Sequence, residues 1–486
     1  MKLTHVSLLA ASILQGVHAA SLDLKPRKSS ILINPPAQPA LPSAQDAASA
    51  AATAGLNLTN IQGDILIGMK KHTELFLFFK IQNVKAFKSQ LGAKILPLIT
   101  STTKLLSVST QPTTAVNIAF SQRGLTALGV TDNLGDSDFS SGQFSGASSL
   151  GDQTSNWVPQ FSGTDIDGVL LLASDTIDNV NTMLSNIETA VNGSVSEVYR
   201  IQGAARPGSE QGHEHFGFMD GISNPAVDGF STPLPGQAVV APGIILLGEQ
   251  GDSTTRPSWA KDGSFLAFRQ LKQRVPEFNK FLLDNALVEP TSSSSVSSIQ
   301  NGSELLGARM MGRWKSGAPV DLTPLVDDPV LAADPQRNNN FNFTHPDLGT
   351  FVNHIIRAGI PYGPEVTNTE TTANVSSTDA TLERGLAFVA YQSSIGSGFA
   401  FLQQFWANNA FFHTVSLFAT CNYNENSVGE DPIIGVASGD GPRHPGGLDP
   451  QDPTKVITIN EDFVVSRGGE YFFSPSLSAI QNTLAV

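Results

Sequence analysis

The composition of the chain describes a globular protein with a substantial core. It has 486 residues, of which 40% are hydrophobic and 15% are charged, enough for two or three domains or one compact pair. The formal net charge of −14 argues against sequence-independent binding to nucleic acid or to an anionic membrane, because both depend on Lys and Arg. The single cysteine, Cys421, permits neither an intramolecular disulfide nor a cysteine-based metal cluster.

The first 55 residues predict processing rather than a core. Residues 1–20 have the positive start, short apolar run and small-residue cleavage site of a secretory signal, and the apolar run is too short to span a bilayer. Residues 21–55 are rich in Ala, Pro and Ser, which indicates a pro-segment or disordered linker. We therefore expect a secreted protein with no membrane anchor. Glycosylation sequons agree with that route and begin at Asn57, Asn192, Asn301, Asn342 and Asn374.

An ordered N-terminal domain is predicted over residues 56–240. Its short apolar runs predict strands, and helical spacing over residues 84–96 predicts a helix that Pro97 ends. The predicted elements follow one another as strand 73–80, helix 84–96, strand 115–120, strand 168–173, helix 177–191 and strand 195–201. The order strand–helix–strand therefore occurs twice.

A C-terminal domain over residues 241–486 has a similar order of elements. The predicted elements are strands 243–247 and 264–269, helix 274–287, strand 385–391, helix 399–409 and strand 471–473. This alternation predicts an α+β protein of two ferredoxin-like domains, each an antiparallel sheet with helices on its outer face. We expect the ligand site in a cleft between the two domains.

One carboxylate, Asp220, stands out because it lies between two glycines in Gly217-Phe218-Met219-Asp220-Gly221. The glycines let the backbone turn or approach another surface closely. Apolar neighbours favour proton exchange by a carboxyl group near neutral pH. The same residues also suit a plain turn that Asn224-Pro225 completes. From these residues alone, the turn is the favoured interpretation.

The run 217–221 resembles the GxxDG motif of the dye-decolorizing peroxidases, a family of haem enzymes. Residues 62–66, 305–314 and 356–366 resemble further family segments in the same order. The resemblance extends from about Leu56 to the C-terminus and is closest to the secreted fungal branch. It implies a monomeric peroxidase that contains haem b. Such an enzyme would reduce hydrogen peroxide and oxidise aromatic reductants such as dyes, phenolics or lignin-related compounds.

The resemblance implies a catalytic pair. Asp220 corresponds to the family's acid–base, which takes the proton of the peroxide and returns it to the leaving oxygen. Arg357 corresponds to the family's pocket arginine, which stabilises developing charge. A surface salt bridge is the usual fate of an arginine, but the neighbouring Ile355, Ile356 and Ile360 favour burial, where a guanidinium needs a partner.

Four other residues correspond to positions around the haem. Leu386 and Phe388 resemble apolar residues that line its peroxide side, although ordinary core packing accounts for them equally well. Tyr362 and Trp406 resemble positions through which the family draws electrons from dyes too bulky to enter. Most Tyr and Trp residues only pack, and Tyr362 has the closer motif match.

The chain departs from the family's pattern at the axial iron ligand. Fungal members carry a Cys-Pro-x-x-Ala-His-x-Arg-Lys run, which is missing between Asn338 and Arg357. His345 is the candidate substitute, because His354 stands too close to Arg357 to reach the opposite haem face. Only twelve positions separate His345 from Arg357 (357 − 345 = 12), as a short deletion or a mispredicted exon would produce. If His345 belongs instead to the loop before a lost segment, the chain is a haem-deficient relic or binding protein of the same fold.

A third hypothesis uses the His213-Glu214-His215 pattern. Two histidines at this spacing can chelate a metal ion from a strand, which would suit a metal-dependent oxidase. No further ligand cluster accompanies them in the sequence. A loop leading into the Asp220 turn is the favoured interpretation.

Overall fold

One antiparallel sheet of nine strands organises the described part of the chain. The computed structural model describes residues 30–163, 165–288, 296–339, 350–409, 431–436 and 442–486. The predicted signal at residues 1–20 lies outside these ranges. Strands β5 and β6 form a separate parallel pair. The strands are β1 (Thr73–Ile81), β2 (Ala115–Phe120), β3 (Gly168–Ser174), β4 (Val195–Ala204), β5 (Ala226–Val227), β6 (Val239–Val240), β7 (Ser264–Gln273), β8 (Ile356–Arg357), β9 (Ile360–Tyr362), β10 (Gly385–Gln392) and β11 (Val464–Ser474).

The helices of the described residues flank this sheet. They are α1 (Ala44–Ala54), α2 (Asp64–Ile67), α3 (Val84–Gln90), α4 (Thr102–Leu106), α5 (Gln122–Ala127), α6 (Ser137–Ser141), α7 (Ile177–Val191), α8 (Val275–Asp284), α9 (Val296–Met311), α10 (Pro329–Ala332), α11 (Asn368–Ala373), α12 (Phe399–Phe401) and α13 (Leu477–Ala479). Wider π-helical turns continue three of them, over Leu91–Ile95, Leu402–Ala407 and Ile480–Leu484. Within the described ranges, none of these helices combines the length and the hydropathy needed to cross a bilayer.

The two halves of the sheet have the same strand order, which confirms the prediction of two ferredoxin-like units. The order is β4-β1-β3-β2 in the first half and β11-β7-β10-β9 in the second. The halves join edge to edge and close a barrel. One join pairs Phe120 of β2 with Phe473 of β11, and the other pairs Gly203 of β4 with Tyr362 of β9. A Cβ atom on Gly203 would lie 2.3 Å from Ile360 Cγ2, so this join requires a glycine.

Alternate side chains of β1 divide between two hydrophobic cores, because successive residues of a strand point to opposite faces. Phe76 and Phe78 belong to one core with Phe268 of β7, and the rings of Phe78 and Phe268 meet edge to face at 4.9 Å. Leu75 and Leu77 belong to a second core. That second core includes the apolar stripe of α7, so the helix covers the outer face of the barrel.

The prediction of a disordered segment is wrong for residues 30–55. Helix α1 begins after Ser43, whose side chain accepts the N–H of Asp46. Ala47 and Ala51 of α1 are buried in the first core together with Ile31. The composition misled because these few small apolar residues find their core only against the barrel, through long-range contacts that local composition does not encode.

The strand predicted over residues 243–247 is also wrong. The chain forms a 3₁₀ turn at Pro242–Ile244, and Ile245, Leu246 and Leu247 are fully buried. A short apolar run has the same hydrophobic pattern in a buried strand and in a buried turn. Pro242 starts the turn with its fixed φ angle.

A buried ion pair joins Glu370 to Arg384, close in the sequence to the predicted site residues Tyr362 and Leu386. Arg384 stands just before β10 and bonds both oxygens of Glu370, at 2.9 and 2.8 Å. Its Nε also donates to the carbonyl of Pro364 at 2.9 Å, which ties the turn after β9 to the start of β10. Burial raises the pKa of Glu370, but bonds from Arg384 and from the Ser377 and Thr367 N–H groups outweigh it and lower the pKa to about 2.

We predict that Glu370→Gln lowers the free energy of unfolding at pH 7 by about 3–5 kcal/mol, because it leaves the Arg384 guanidinium buried without its counter-charge. The folded pKa of Glu370 lies below its unfolded value of 4.5. Its contribution is therefore present above pH 4.5 and is lost as pH falls towards 2. Urea denaturation across that range should show the wild type and the variant converging in acid. Glu188→Gln is the control, because Glu188 forms an exposed pair with Arg200 at 3.9 Å; an equal loss there would contradict the prediction.

Candidate active site

A cavity of about 550 Å³ lies against the outer face of the second half of the barrel. Leu271 of β7, Phe388 of β10 and Val464 of β11 line its floor, and Met310 of α9 lines another wall. The segment from Glu214 to Ser223, which comes from the first half of the chain, covers it. The volume and the mainly apolar lining are those of a pocket for an organic ligand.

Asp220 and Arg357 meet at the wall of this cavity. They are 137 positions apart in the chain, and a guanidinium Nη1 of Arg357 donates to Asp220 Oδ1. The N–H of Gly221 also donates to Asp220 Oδ1, at 2.7 Å. Gly217 and Gly221 have φ angles of 93° and 78°, a left-handed conformation that glycine adopts without strain. Asp220 is therefore part of a tight turn, and the turn presents its carboxylate to a cation in a pocket.

Asn224 and Gln38 hold this pair in place. The Asn224 amide donates to the Arg357 carbonyl and accepts the Arg357 N–H, both at 3.0 Å. The Gln38 amide donates to the backbone carbonyl of Asp220 at 2.8 Å. Neither role is evident from the sequence, where Asn224 has the pattern of a turn residue and Gln38 lies in a segment predicted to be disordered. The x-Asn-Pro pattern carries no signal for a partner that is 133 positions away.

The other residues predicted for the site divide into three groups. Leu386, Phe388 and Trp406 all line the cavity. Tyr362 does not line it; this residue is 8% exposed and belongs to the first hydrophobic core. His345 lies outside the described residues.

Glu214 is a second carboxyl group on the cavity wall. Its oxygens accept the N–H groups of Phe216 and Phe218 at 2.8 and 2.9 Å and a bond from the Gln273 amide. Burial raises the pKa of Glu214 to about 7, with a further contribution from the charge of Asp220, although the three bonds oppose the shift. In the sequence, Glu214 stands out only as the middle residue of a histidine pair.

Two more arginines line the cavity. Burial and the charge of the nearby Arg357 lower the pKa of Arg313 to about 10, so Arg313 remains a cation at neutral pH. Arg269 is almost fully buried and donates from Nη2 to Asp152 at 2.6 Å. Its Nε and Nη1 have no hydrogen-bond partner among the described residues. A buried donor without an acceptor is costly, so this wall suits a ligand that carries acceptor atoms.

The described walls fit the haem that the family resemblance implies. They combine apolar faces with the cations Arg269, Arg313 and Arg357, which suits a flat apolar ring with acidic substituents. No His, Cys or Tyr is among the described residues that line the cavity. The described lining therefore supplies none of these three side chains as an iron ligand, and His345, outside the described residues, is the candidate that the sequence offers.

The geometry gives no support to a metal site at His213 and His215. His215 Nε2 bonds the Tyr362 carbonyl at 2.9 Å, and burial lowers the pKa of His215 to about 4. His213 pairs through its backbone with Met219. In the ranges that the structure covers, no three His, Cys, Asp or Glu side chains come together as metal ligands.

Comparison with known proteins identifies close relatives of the chain. Residues 60–207 match the model of the DyP dimeric alpha+beta barrel domain. Peroxidase 2 of Mycetinis scorodonius is 61% identical, with 100% of each chain covered. The dye-decolorizing peroxidase AauDyP1 of Auricularia auricula-judae is 50% identical, over 94% of this chain and 92% of that protein. A crystal structure of the Auricularia auricula-judae decolorizing peroxidase superposes with a TM-score of 0.81 at 50% identity, covering 89% of this chain and 100% of the other.

The first of these alignments is longer than the chain itself. It runs over 529 positions, 43 more than the 486 residues present here. At those positions the Mycetinis protein has residues that this chain lacks.

We predict that Glu214 makes the protein less stable as pH rises from 4.5 to 7. Its folded pKa of about 7 lies above the unfolded value of 4.5, so its contribution is complete below pH 4.5 and is lost as pH passes 7. For one proton, the difference between these two pKa values corresponds to about 3 kcal/mol of unfolding free energy. Chemical denaturation at several pH values should show a smaller decline for Glu214→Gln. The exposed Glu197 supplies the control: if Glu197→Gln flattens the profile equally, Glu214 is not the source.

Proposed function

The chain belongs to the dye-decolorizing peroxidase family, and on this basis we propose that its cavity is the centre of a haem peroxidase. The enzyme would reduce hydrogen peroxide there and oxidise dyes and other aromatic reductants. The observation that carries this proposal is the contact of Asp220 with Arg357 on the wall of one cavity. An acid–base group and a cation are the two side chains that peroxide cleavage requires from the protein.

Asp220 is the proton carrier of the proposed reaction. A haem, when bound, supplies the iron that receives peroxide and exchanges electrons. The free Oδ2 of Asp220 accepts a proton from the peroxide oxygen that enters the site and returns it to the oxygen that leaves. Oδ1 is held by the Gly221 N–H and by Arg357, so the carboxylate keeps one orientation while Oδ2 exchanges the proton.

Arg357 and the apolar walls complete the site. The Arg357 guanidinium offers positive charge next to Asp220, where charge develops as the O–O bond lengthens. Leu386 and Phe388 line the same space and limit the water within it, which strengthens that interaction. The family resemblance implies that dyes too bulky to enter this space are oxidised from outside it. Such dyes would give up electrons through Tyr362 or Trp406 instead.

The finer assignments follow the family. We propose haem b as the cofactor, with His345 as axial ligand, in a secreted and glycosylated monomer. The alternative, a haem-deficient relic of the same fold, has less support. Relatives with 50–61% identity are named as peroxidases, and the described cavity walls suit a porphyrin.

Haem supplementation tests the proposed function directly. The purified chain, titrated with haemin, should develop a Soret band with saturation near one equivalent and should then decolorise an anthraquinone dye only when peroxide is added. His345→Ala should lose the Soret shift if His345 is the ligand. A chain that remains colourless after supplementation would overturn the peroxidase assignment in favour of the relic.

We predict that Asp220→Asn slows the reaction with peroxide by about 10²–10⁴-fold, because the amide cannot accept the proton. Haem binding should be unchanged, since Asn keeps the size of Asp. Stopped-flow absorption at the Soret band measures the rate, and the haemin titration measures the binding. Asp178→Asn, at an exposed position in the first turn of α7, serves as control. An unchanged peroxide rate in Asp220→Asn would remove Asp220 from this role.

We also predict that Asn224→Ala reduces the peroxide rate by misplacing Arg357. The variant loses two hydrogen bonds to the Arg357 backbone, worth about 1–3 kcal/mol in unfolding free energy. The control is Asn83→Ala, which removes the N-cap of α3 at a cost of about 1 kcal/mol, far from the cavity. Both variants should lose stability in urea, but only Asn224→Ala should lose the rate. Equal rates in the two variants would show that Asn224 has a structural role alone.

A further inference from the structure

A hydrogen-bonded cluster lies on the face of the sheet opposite to the cavity. The hydroxyl of Tyr362 donates to Glu383 Oε1 at 3.0 Å. The Gln270 amide donates to the same oxygen at 3.0 Å, and the Tyr199 hydroxyl donates to Gln270 Oε1 at 3.0 Å. Arg467 Nε lies 3.2 Å from the second oxygen of Glu383. We call these five residues the Tyr362 cluster.

The Tyr362 cluster is next to the cavity without opening into it. Tyr362 pairs with Gly385 in the sheet, and the adjacent Pro361 pairs with Leu386, a residue of the cavity wall. His215 also binds the Tyr362 backbone from the covering segment. The phenol is therefore close to the centre proposed for the cavity, yet Tyr362 as a whole is only 8% exposed.

Oxidation of a buried phenol raises the problem of where its proton goes. Burial and the charge of Glu383 raise the pKa of Tyr362 well above its ordinary value of 10, so the phenol remains protonated at neutral pH. Once an electron leaves the ring, the hydroxyl becomes a strong acid. A charged radical cation would be costly at a buried position, so the proton must pass to an acceptor within hydrogen-bond reach.

Glu383 is the acceptor that this geometry provides. Its Oε1 already accepts the hydroxyl hydrogen of Tyr362, so the transfer needs no movement of either side chain. The guanidinium of Arg467 on the second oxygen balances the carboxylate charge. The Gln270 amide donates to the same Oε1 and fixes the direction of the carboxylate. The Tyr199 hydroxyl is one hydrogen bond further from Glu383, because Gln270 stands between them. The charges of Glu383 and Arg467 also act on Tyr199.

We propose that Glu383 is the proton acceptor for Tyr362 during the oxidation of bulky aromatic reductants. One electron leaves the Tyr362 ring for the peroxide-oxidised centre in the cavity, the phenolic O–H bond breaks, and an O–H bond forms on Glu383 Oε1. An aromatic reductant then gives one electron to the ring, and the proton returns from Glu383 to the phenolic oxygen. The proposal rests on the proposed function, which supplies peroxide as oxidant and an aromatic dye as reductant.

Glu383→Gln tests this step, because the amide keeps the shape and can still accept the hydroxyl hydrogen but cannot take up the proton. The experiment uses haem-loaded protein in a Trp406→Phe background, so that tyrosine is the remaining route. Samples are mixed with peroxide, without a reductant, and freeze-quenched. Electron paramagnetic resonance then identifies the tyrosyl radical by comparison with protein that contains ring-deuterated tyrosine. We expect its yield to fall at least about tenfold, as in Tyr362→Phe. Turnover of a bulky dye should fall by about 10²-fold, while that of a small phenol stays the same.

Glu365→Gln is the matched control. Glu365 follows the same turn after Tyr362, is exposed, and is paired with Arg206 at 2.7 Å, so this variant also breaks a carboxylate–arginine pair. It should leave the radical yield and the dye turnover at the level of the background protein. A Glu383→Gln variant with an undiminished radical and undiminished dye turnover would overturn the proposal.

Two other outcomes separate this inference from the function on which it rests. If Tyr362→Phe leaves both the radical and the dye turnover unchanged, the role of Glu383 is wrong and the peroxidase activity is unaffected. If the unmodified chain binds no haem or does not react with peroxide, the proposed function fails first. The Soret band and the turnover of the small phenol distinguish these two cases in the same set of samples.

Discussion

The two hydrogen bonds between the Asn224 side chain and the Arg357 backbone are the constraint on which the candidate site depends. They join a loop of the first half of the chain to a strand of the second. Once they form, the Asp220 turn lies over the cavity and its carboxylate reaches the Arg357 guanidinium. Gln38 adds a third point of attachment from the N-terminal segment. Three distant parts of the chain thus fix one carboxylate, which limits the conformations that it must search before it reacts.

Charged groups of both signs line the cavity, although the whole chain is acidic. Arg269, Arg313 and Arg357 line it together with four carboxyl groups, those of Asp152, Glu214, Asp220 and Asp431. In a wall that is mostly apolar, these charges interact more strongly than they would in water. Burial raises the pKa of Glu214 to about 7. The net charge of the cavity walls therefore changes with pH in the neutral range. The total charge of −14 therefore says little about the ligand that the cavity accepts.

The barrel explains why so many elements were predictable and some were not. Strands such as β1 and β3 are continuous apolar runs flanked by polar turns, and α7 has a regular apolar stripe; local patterns of this kind identify their elements. The turn at residues 242–244 and helix α1 have no such distinctive pattern. Their conformation depends on the surfaces that they cover, so tertiary contacts override local preference. Barrel closure depends on two joins of one residue pair each, which no periodicity reveals.

Local hydrophobic periodicity was enough to predict the two ferredoxin-like halves. The motifs that occur in order from residue 62 to residue 366 were enough to indicate the family. The sequence also singled out Asp220 and Arg357. The contact between these two side chains, the role of Asn224 in holding them and the presence of Glu214 in the same cavity became evident from the folded chain. The physical reason is that each of these relations joins residues through space across a closed barrel. Spacing along a chain carries no information about such contacts until the strands have paired.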